Sequence, residues 1–534
     1  MKKYSDNFAE RHLPHPDLQP DYICNHPDFD FSEITNCANK LLDIHINEGR
    51  GNSVAIQTFN CKWTYQELFE KSNQIAHVLV EDLGFVSGNR VLIRSANNPM
   101  FVAIWFAVLK AGGIVVSTMP LLREKELTTI IDSAEISLAF CEISLQEDLN
   151  TVPSSYLKSA LTFYGNSEKN GQLELLMQNK PKEFQNFHAG PNNICLIGFT
   201  SGTTGKPKMT AHYHKDILLI CEAFPKFSLN VTPDDVFTGS PPLGFTFGLG
   251  GLVLFPFYYG ASTFLIDKPT PDLLLKAIQD YKVTICFTAP TAWRIISTKV
   301  SNYDVRTLRK CVSAGETLPV KVWEDWYNLT GLKIIDGIGS TEILHIFISS
   351  NEQNMRKGAT GLPIRGYEAK IVDKNGNEVA INELGRLAVR GITGCKYLNA
   401  NDKQQEYVEN KWNITGDIFK KDEDGYFWFI ARGDDMIISS GYNIAAIEVE
   451  SVLLTHDAIL ECAVVGVPNE DRGMLVCAYI VLKETEKPSE NFATEIQNWF
   501  KQVAAPYKYP RIIHFVDQLP KTETGKIQRF KLKN

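Results

Sequence analysis

Residues 200–208 read TSGTTGKPK and combine backbone freedom, hydroxyl groups and positive charge. Gly202 and Gly205 permit backbone conformations with positive φ and a close approach to a ligand. Amide and hydroxyl groups of such a segment can form a concave nest for an anion, and Lys206 and Lys208 add positive charge. The composition predicts a loop that binds phosphate, with a polar surface turn as the alternative.

The sequence on either side of this loop favours the phosphate interpretation. Residues 193–199 predict a buried strand before the loop, and residues 212–224 predict a helix after it. A strand, a glycine-rich loop and a helix form a common phosphate site in α/β sheets. The loop is not of the G-x-x-x-x-G-K-[ST] type, because its glycines are too close together and Pro207 follows Lys206. We therefore expect phosphate binding without a GTPase-like mechanism.

Four further stretches carry residue types that suit a nucleotide site. CVSAGE (311–316) and IIDGIGSTE (334–342) each place small residues and a glutamate after a predicted strand. NITGDIF places Asp417 in a strand, ARGDD places Arg432 fifteen residues later, and TETGKIQR carries Lys526. Each stretch is weak alone, since such residues are usually solvated on the surface. Their spacing does not by itself make them one site.

Alternating strand and helix patterns surround these stretches. Residues 64–84 predict an amphipathic helix with Thr64 as its N-cap, Glu67 completing a capping box and Gly84 ending it. The same alternation of strand and helix continues in residues 89–97, 99–113, 113–119, 283–290 and 310–327. The large N-terminal part is therefore predicted to be α/β with mostly parallel sheets.

The pattern changes after Gly361. Residues 367–391 and 413–435 predict two antiparallel hairpins, so a β-rich subdomain is expected. A small α/β unit with one helix and several strands begins at about Asp434. We expect two domains, residues 1–433 and residues 434–534, joined by a polar hinge at Asp434.

The composition narrows the class of protein. A net charge of −8 without a long basic run argues against a general nucleic-acid binder. The eleven cysteines contain no C-x-x-C pair, which favours free thiols over disulfides or a zinc site. The N-terminus lacks an apolar signal segment, and Lys110 interrupts the most apolar stretch, residues 101–120. We expect a cytoplasmic protein without a membrane span.

Taken in order, the five stretches resemble the motif series of the AMP-forming adenylating superfamily, which contains acyl-CoA synthetases, luciferases and the adenylation domains of peptide synthetases. The resemblance covers essentially the whole chain. GSTEILHIF, NNPM, AVLKAGGIVV and MPLLR are most similar to benzoate–CoA and 2-aminobenzoate–CoA ligases, with medium-chain acyl-CoA synthetases next. This resemblance implies that the chain is an ATP-dependent carboxylic acid–CoA ligase. Such an enzyme first forms an acyl-adenylate and releases pyrophosphate, and then forms the thioester and releases AMP.

The resemblance implies a role for each matching residue. Thr341 would lie at the α-phosphate, and Glu342 would hold Mg²⁺, which a hard carboxylate oxygen suits. Asp417 would accept hydrogen bonds from both ribose hydroxyls, and Lys526 would reach the acid carboxylate and the α-phosphate. The implied ATP-binding residues are Thr200, Ser201, Gly202, Thr203, Thr204, Gly205, Lys206, Gly315, Glu316, Asp336, Gly337, Gly339, Ser340, Asp417 and Arg432.

The resemblance also implies an acid pocket and a thiol site. Small residues at Ala314 and Gly339 would leave a flat slot suited to a ring, while Phe247 stands where benzoate ligases often carry Tyr. His345 is either a substrate contact or a core histidine. The implied pocket consists of Thr246, Phe247, Ala314, His345 and Ile346. The implied coenzyme A contacts are Ser440, Gly441, Tyr442, Arg472, Tyr509, Pro510 and Arg511, reached after rotation about Asp434.

Several functions remain open at this point. The leading one is ligation of an aromatic acid such as benzoate or 2-aminobenzoate to coenzyme A. A medium-chain acyl-CoA synthetase and a standalone adenylation enzyme that loads a carrier protein are alternatives, the latter because Asn443 replaces an arginine common in relatives. Intact Lys526, Glu342 and Asp417 argue against an inactive binding module, and nothing in the sequence indicates a luciferase-like oxygenase. The expected ligands are ATP, Mg²⁺, coenzyme A and a small acid, and the assembly considered is a homodimer.

Overall fold

The computed structural model of the chain describes residues 3–33, 36–165, 170–200, 207–433, 435–439, 442–469, 472–484, 486–521 and 527–533, with only the backbone for residues 442 and 443. Its strands form four sheets of nine, six, five and five strands. The architecture confirms the predicted mixed α/β fold with large parallel sheets, β-rich regions and a small C-terminal α/β unit.

The six-stranded sheet carries the glycine-rich loop at one edge. Its strands, in chain order, are β3 Arg90–Arg94, β4 Ile114–Thr118, β5 Leu138–Glu142, β6 Ser159–Phe163, β7 Ile194–Thr200 and β8 Lys208–Tyr213. The spatial order is β6-β5-β3-β4-β7-β8. All neighbours are parallel except β7 and β8, which form an antiparallel pair. The two ends of the loop therefore belong to one hairpin.

The nine-stranded sheet holds the two glutamate motifs. Its strands are β1 Val54–Gln57, β2 Lys62–Thr64, β9 Val236–Gly239, β10 Ser262–Phe264, β11 Ile285–Thr288, β12 Lys310–Ala314, β13 Ile334–Gly339, β14 Ile346–Ser349 and β15 Leu362–Pro363. They lie in the order β15-β14-β13-β12-β11-β9-β10-β1-β2. The central strands β11, β12 and β13 are parallel, so the motifs that follow β12 and β13 meet at one edge.

Two five-stranded sheets complete the chain. The first contains β16 Tyr367–Val372, β17 Gly385–Gly391, β18 Val408–Glu409, β19 Trp412–Lys421 and β20 Phe427–Arg432. The second contains β21 Met436–Ser439, β22 Tyr442–Ala445, β23 Ile459–Asn469, β24 Gly473–Leu482 and β25 Ile512–Phe515. Both hairpins predicted for residues 367–391 and 413–435 are present as β16–β17 and β19–β20.

The helices cover the sheets. They are α1 Phe8–Arg11, α2 Ile44–Asn47, α3 Tyr65–His77, α4 Pro99–Lys110, α5 Glu124–Ser133, α6 Gln146–Asn150, α7 Gln172–Met177, α8 His214–Phe224, α9 Thr246–Leu249, α10 Phe255–Tyr258, α11 Pro271–Tyr281, α12 Pro290–Lys299, α13 Val320–Thr330, α14 Asn401–Tyr407, α15 Ala446–Leu453 and α16 Glu490–Val503. π-Helical turns extend four of these regions at Asn39–Asp43, Val78–Asp82, Pro225–Leu229 and Gly250–Leu254.

Helix α3 begins as the sequence predicts. The Thr64 hydroxyl accepts a hydrogen bond from the Glu67 amide, and Glu67 accepts one from the Thr64 amide. Such a reciprocal capping box satisfies two amides that the first helical turn leaves unpaired. The chain leaves the helical region at Gly84, which has a φ of +63°.

The apolar stretch at residues 101–120 forms a buried helix and a buried strand. Every residue of α4 is buried, and its Lys110 ammonium donates to Asp43 at 2.6 Å and to Asn73 at 2.8 Å. These partners compensate the burial of the charge. Among the described residues, no helix combines the length and the apolar character that crossing a bilayer requires.

One prediction for the glycine-rich loop is wrong. The sequence predicted a helix from residue 212, directly after the loop, but His212 and Tyr213 belong to β8, and α8 begins at His214. The reason is that β8 pairs with β7 in antiparallel register from Thr200–Lys208 to Ile194–Tyr213. The loop therefore connects two strands, and the helix follows the second strand.

Candidate active site

A cavity of about 430 Å³ lies between the large N-terminal part and the C-terminal sheet. Predicted ATP-binding residues on its wall are Gly315, Glu316, Asp336, Gly337, Gly339, Asp417 and Arg432. The opposite wall comes from residues after 434 and includes Glu450, Glu461, Lys521, Ile527 and Arg529. The structure therefore brings together motifs that are more than a hundred residues apart in the sequence.

Asp417 and Arg432 form a cross-strand pair at one end of this cavity. They are direct partners in the β19–β20 hairpin, and the Arg432 guanidinium lies 3.3 Å from a carboxylate oxygen of Asp417. Asp417 is 6% exposed, so its carboxylate is directed into the cavity wall rather than into bulk solvent. A carboxylate held in this way can accept hydrogen bonds from adjacent hydroxyl groups of a ligand.

Gly315 and Glu316 follow β12 at the edge of the parallel sheet. Gly315 has a φ of +91°, a conformation that L side chains rarely adopt. This turn directs Glu316 along the cavity, where its carboxylate accepts a hydrogen bond from Thr291 at 2.9 Å. Helix α12, which carries Thr291, thus helps to orient the first glutamate motif.

Asp336 lies on the neighbouring strand β13 and is half-buried in the wall of the cavity. Burial raises the pKa of its carboxyl group to about 8. One carboxyl oxygen has no hydrogen-bond partner among the described residues. Because an unpaired buried polar atom is costly, this oxygen suits a ligand that donates a hydrogen bond.

The segment Ser340–Glu342 leaves β13 and is held by residues from other parts of the chain. The His212 ring donates to the Thr341 carbonyl over 2.8 Å, and burial lowers the pKa of His212 to about 3, so this ring is neutral. The Tyr397 hydroxyl donates to Oε1 of Glu342 over 2.5 Å. Glu342 thus offers the hard carboxylate oxygen that Mg²⁺ prefers.

Aromatic rings pack around His345, one of the residues predicted to bind the acid. His345 is 2% exposed, and its ring centroid lies 4.6 Å from Phe255 and 5.9 Å from Phe247. Burial lowers the pKa of His345 to about 3. A Cβ atom at Gly339 would approach the His345 carbonyl to 2.7 Å, so only glycine fits there. Thr246 and Thr341 border a separate void of about 10 Å³.

The other predicted residues lie elsewhere. Ala314 and Ile346 are buried in the core beside the cavity. Arg472 lies at the turn before β24, where its amide donates to Asn469. Tyr509 accepts a hydrogen bond from Arg511 over 2.8 Å, and the Pro510 carbonyl accepts one from Gln497. These C-terminal residues do not line the cavity described above.

Several predicted residues lie outside the described residues. They are Ser201, Gly202, Thr203, Thr204, Gly205, Lys206, Asp434, Ser440, Gly441 and Lys526, and the side chain of Tyr442 is also outside. Two of these segments have described residues at both ends that pair with each other. Thr200 pairs with Lys208 in the β7–β8 hairpin, and Lys521 forms an isolated β-bridge with Ile527.

Sequence reasoning missed the residues that join the two walls of the cavity. Arg294 on α12 pairs with Glu461 on β23, and Lys521 also pairs with Glu461 at 2.6 Å. Arg529 pairs with Glu450 of α15 at 2.8 Å. No local pattern indicated these residues. The Arg294–Glu461 pair forms only when the C-terminal sheet lies against α12, and the other two pairs form only when distant segments of the C-terminal unit pack together. Tyr397 was missed because its partner Glu342 lies on a different segment, 55 residues away in the sequence.

Two protein-family models match most of this chain. The AMP-binding enzyme family matches residues 45–396, and the AMP-binding enzyme C-terminal domain matches residues 448–526. The chain belongs to the AMP-binding enzyme family. It is therefore an enzyme of the acyl-CoA ligase class, in a family that uses ATP and coenzyme A.

Relatives of this AMP-binding enzyme include a benzoate–CoA ligase and acyl-coenzyme A synthetases. The benzoate–CoA ligase of Thauera aromatica is 32% identical over 520 residues, covering 95% of this chain and 97% of that protein. The mitochondrial acyl-coenzyme A synthetase ACSM3 of Homo sapiens is 33% identical over 486 residues, covering 88% and 83%.

Two solved structures are similar over nearly the whole chain. The anthranilate CoA ligase AuaEII in complex with anthranoyl-AMP has a TM-score of 0.89 at 32% identity, covering 95% of this chain and 98% of that one. A benzoate CoA ligase from Burkholderia xenovorans LB400 has a TM-score of 0.86 at 30% identity, covering 94% and 100%.

Proposed function

We propose that this enzyme ligates an aromatic carboxylic acid, such as benzoate or 2-aminobenzoate, to coenzyme A at the expense of ATP. The observation that carries the proposal is the aromatic environment of His345, with Phe247 and Phe255 packed against its ring and glycine at position 339. Flat rings pack well between aromatic side chains. The similarity to anthranilate and benzoate ligases over most of the chain supports it.

The cavity would supply groups for the adenine and the ribose, and neighbouring segments would supply groups for the phosphates. The unpaired oxygen of Asp336 can accept a hydrogen bond from the adenine amine. Asp417, held by Arg432, can accept hydrogen bonds from the ribose hydroxyls. We assign the triphosphate to the glycine-rich loop between β7 and β8, whose amides and lysines suit an anion. Mg²⁺ bound at Glu342 would neutralise phosphate charge during the reaction.

The first step activates the acid. A carboxylate oxygen attacks the α-phosphorus, the bond from that phosphorus to the bridging oxygen breaks, and pyrophosphate leaves with the bonding electrons. The Thr341 hydroxyl and the Lys526 ammonium are assigned to the α-phosphate. Fixed donors that meet developing negative charge are the main source of rate enhancement in such transfers.

The second step transfers the acyl group. The coenzyme A sulfur attacks the acyl carbon as its thiolate, the acyl–phosphate bond breaks, and AMP leaves. We propose two domains, residues 1–433 and 434–534, and a rotation about Asp434 that replaces Lys526 with the thiol channel. Arg472 and the segment 509–511 are assigned to coenzyme A, since cationic side chains suit its phosphates.

A panel of acids tests the proposal. Purified enzyme with ATP and Mg²⁺ receives benzoate, 2-aminobenzoate or hexanoate, with coenzyme A or a phosphopantetheinylated carrier protein as acceptor, and AMP release and thioester formation are measured. We expect the highest kcat/KM with an aromatic acid and coenzyme A. Preference for hexanoate would favour a medium-chain synthetase, and turnover with the carrier alone would favour a standalone adenylation enzyme.

The Lys526→Ala variant provides the internal control. Lys526 is assigned to adenylation only, so ATP–pyrophosphate exchange should fall about 10²–10³-fold. Thioester formation from a supplied acyl-adenylate should persist. Equal loss of both half-reactions would contradict the assignment, and no acid-dependent exchange in the wild-type enzyme with any acid would overturn the proposed function.

A further inference from the structure

The segment that follows β17 pairs with β8 through an isolated β-bridge. The Ala211 amide donates to the Lys396 carbonyl and the Leu398 amide donates to the Met209 carbonyl, each over 2.9 Å. Tyr397 lies between these contacts, opposite Thr210. The backbone of Tyr397 is therefore fixed to the strand that leads out of the glycine-rich loop.

The side chain of Tyr397 reaches from this segment to the second glutamate motif. Its ring is 1% exposed, and its hydroxyl lies 2.5 Å from Oε1 of Glu342. The phenol donates this hydrogen bond to the carboxylate, which can only accept it. A hydrogen bond to an ionised acceptor is about twice as strong as a neutral one.

Neighbouring residues hold the Tyr397 ring in place. Tyr407 packs against it edge to face with a centroid distance of 5.7 Å, and the Lys208 ammonium lies 5.2 Å from its centroid. The Tyr397 amide donates to Gln404 over 2.8 Å. The ring is therefore enclosed on several sides, and its hydroxyl has one orientation available toward Glu342.

The Glu342 carboxylate fits a hard cation. Oε1 of Glu342 accepts the hydrogen bond from Tyr397, and no donor in the described part of the chain is within hydrogen-bond distance of Oε2. A carboxylate with one oxygen held by the protein and one oxygen free is the usual arrangement of a metal ligand with an orienting partner. Glu342 is half-buried, so the free oxygen remains accessible to the nucleotide.

We propose that Tyr397 is a positioning residue that orients Glu342 for the metal ion of the nucleotide. It also connects Glu342 to β8, so the carboxylate and the end of the glycine-rich loop move as one unit. The inference rests on the proposed function, because it assumes that the enzyme binds a metal–ATP complex. Tyr397 itself touches neither the acid nor the nucleotide.

Metal binding without turnover tests this inference. Mn²⁺ is titrated into enzyme that holds a non-hydrolysable ATP analogue, and bound Mn²⁺ is measured by electron paramagnetic resonance for the wild type, Tyr397→Phe and Tyr426→Phe. Loss of an orienting partner typically weakens metal affinity by about 10–100-fold. We expect this loss for Tyr397→Phe, and wild-type affinity for Tyr426→Phe, which removes a hydroxyl that donates to the Asn354 carbonyl.

Further measurements separate positioning from folding. Tyr397→Phe removes one oxygen atom, so its thermal unfolding midpoint and its KM for the acid should stay near the wild-type values while the Mg²⁺ requirement of ATP–pyrophosphate exchange rises. Wild-type Mn²⁺ affinity in Tyr397→Phe would overturn the inference and leave the proposed function intact. Failure of the wild-type enzyme to bind Mn²⁺ with the nucleotide analogue would overturn both.

Discussion

Asp336 illustrates how a single residue can serve binding at the expense of stability. Its carboxyl group lies in the wall of the cavity, and one of its oxygens has no partner among the described residues. Burial disfavours the charged form and raises the pKa to about 8. A ligand that donates a hydrogen bond to this oxygen would relieve part of that cost.

We predict that Asp336 makes the stability of the enzyme depend on pH. The folded-state pKa of about 8 exceeds the usual value near 3.9, so the folded state keeps a proton that the unfolded state has released. The contribution of this bound proton to the free energy of unfolding is present in full below about pH 4 and is lost as the pH rises through 8. The side chain of the Asp336→Asn variant does not titrate. The free energy of unfolding of this variant relative to the wild type should therefore rise between pH 5 and pH 8. We expect a rise of more than about 1.4 kcal/mol, which is the energy equivalent of one pKa unit.

Urea unfolding at pH 5 and pH 8 measures this difference. Asp280→Asn is the matched control, because Asp280 is on the surface in an i,i+4 pair with Lys276. The control should show no comparable change between the two pH values. If the free energy of unfolding of Asp336→Asn differed from that of the wild type by the same amount at both pH values, the pKa of the Asp336 carboxyl group would not be raised.

At the scale of elements, a buried ion pair joins the bridged segment at residues 396–398 to helix α8. The Lys396 ammonium lies 3.0 Å from Asp216, and both side chains are fully buried. Burial alone would lower the pKa of Lys396, but Asp216 raises it above its usual range, so the lysine stays charged. The pair fixes the backbone that carries Tyr397.

We predict that Lys396→Met destabilises the enzyme severely. Removing one partner of a buried pair leaves an uncompensated charge and costs about 3–5 kcal/mol. The control Lys276→Met breaks the pair with Asp280, whose side chains are 53% and 34% exposed, and should cost less than about 1 kcal/mol. Chemical unfolding of both variants tests this, and similar losses would mean that the buried pair has no special weight.

The elements also show what the sequence could predict. Helix α3 and the strands before each glutamate motif were predicted because their caps and apolar runs are local features. Strand β8 was missed because its conformation depends on pairing with β7. Helix α16 was overlooked although its Ser489 cap and the spacing of Ile496 and Phe500 were visible in the sequence.

The same distinction holds for the site. Residues such as Asp417 and Arg432 could be assigned from motifs that the resemblance supplies, and the structure places them opposite each other in one hairpin. Tyr397, Arg294 and Glu461 carry no motif of their own. Their contacts depend on how distant segments pack, and a single sequence does not reveal such packing.

At the scale of the whole molecule, the cavity depends on contact between the C-terminal sheet and helix α12. Arg294 pairs with the Glu461 carboxylate and donates to the Leu460 carbonyl, and Lys521 pairs with the other oxygen of Glu461. Glu461 thus pairs both with a helix of the large part and with the segment that leads to Lys526. It stabilises the arrangement in which that segment borders the cavity.

We predict that Glu461→Gln shifts the enzyme away from this arrangement. The Arg294 and Glu461 side chains are 23% and 15% exposed, and breaking a pair near the surface costs about 1 kcal/mol, roughly a fivefold change in population. The proposed mechanism requires the segment near Lys526 at the cavity during adenylation, so we expect ATP–pyrophosphate exchange to fall about fivefold. Thioester formation from a supplied acyl-adenylate should be unchanged or faster, because the opposite arrangement becomes more accessible.

Two comparisons make this test specific. Glu368→Gln breaks a pair with Arg390 inside the β16–β17 hairpin, with 51% and 30% of the side chains exposed, and should leave both half-reactions unchanged. Salt screens exposed ion pairs, so raising the ionic strength should reduce wild-type exchange toward that of Glu461→Gln. If the rates of adenylation and thioester formation fell together in Glu461→Gln, we would conclude that Glu461 stabilises the fold of the C-terminal part. It would then not control the equilibrium between the two placements of that part. If neither changed, the contact with α12 would not control adenylation.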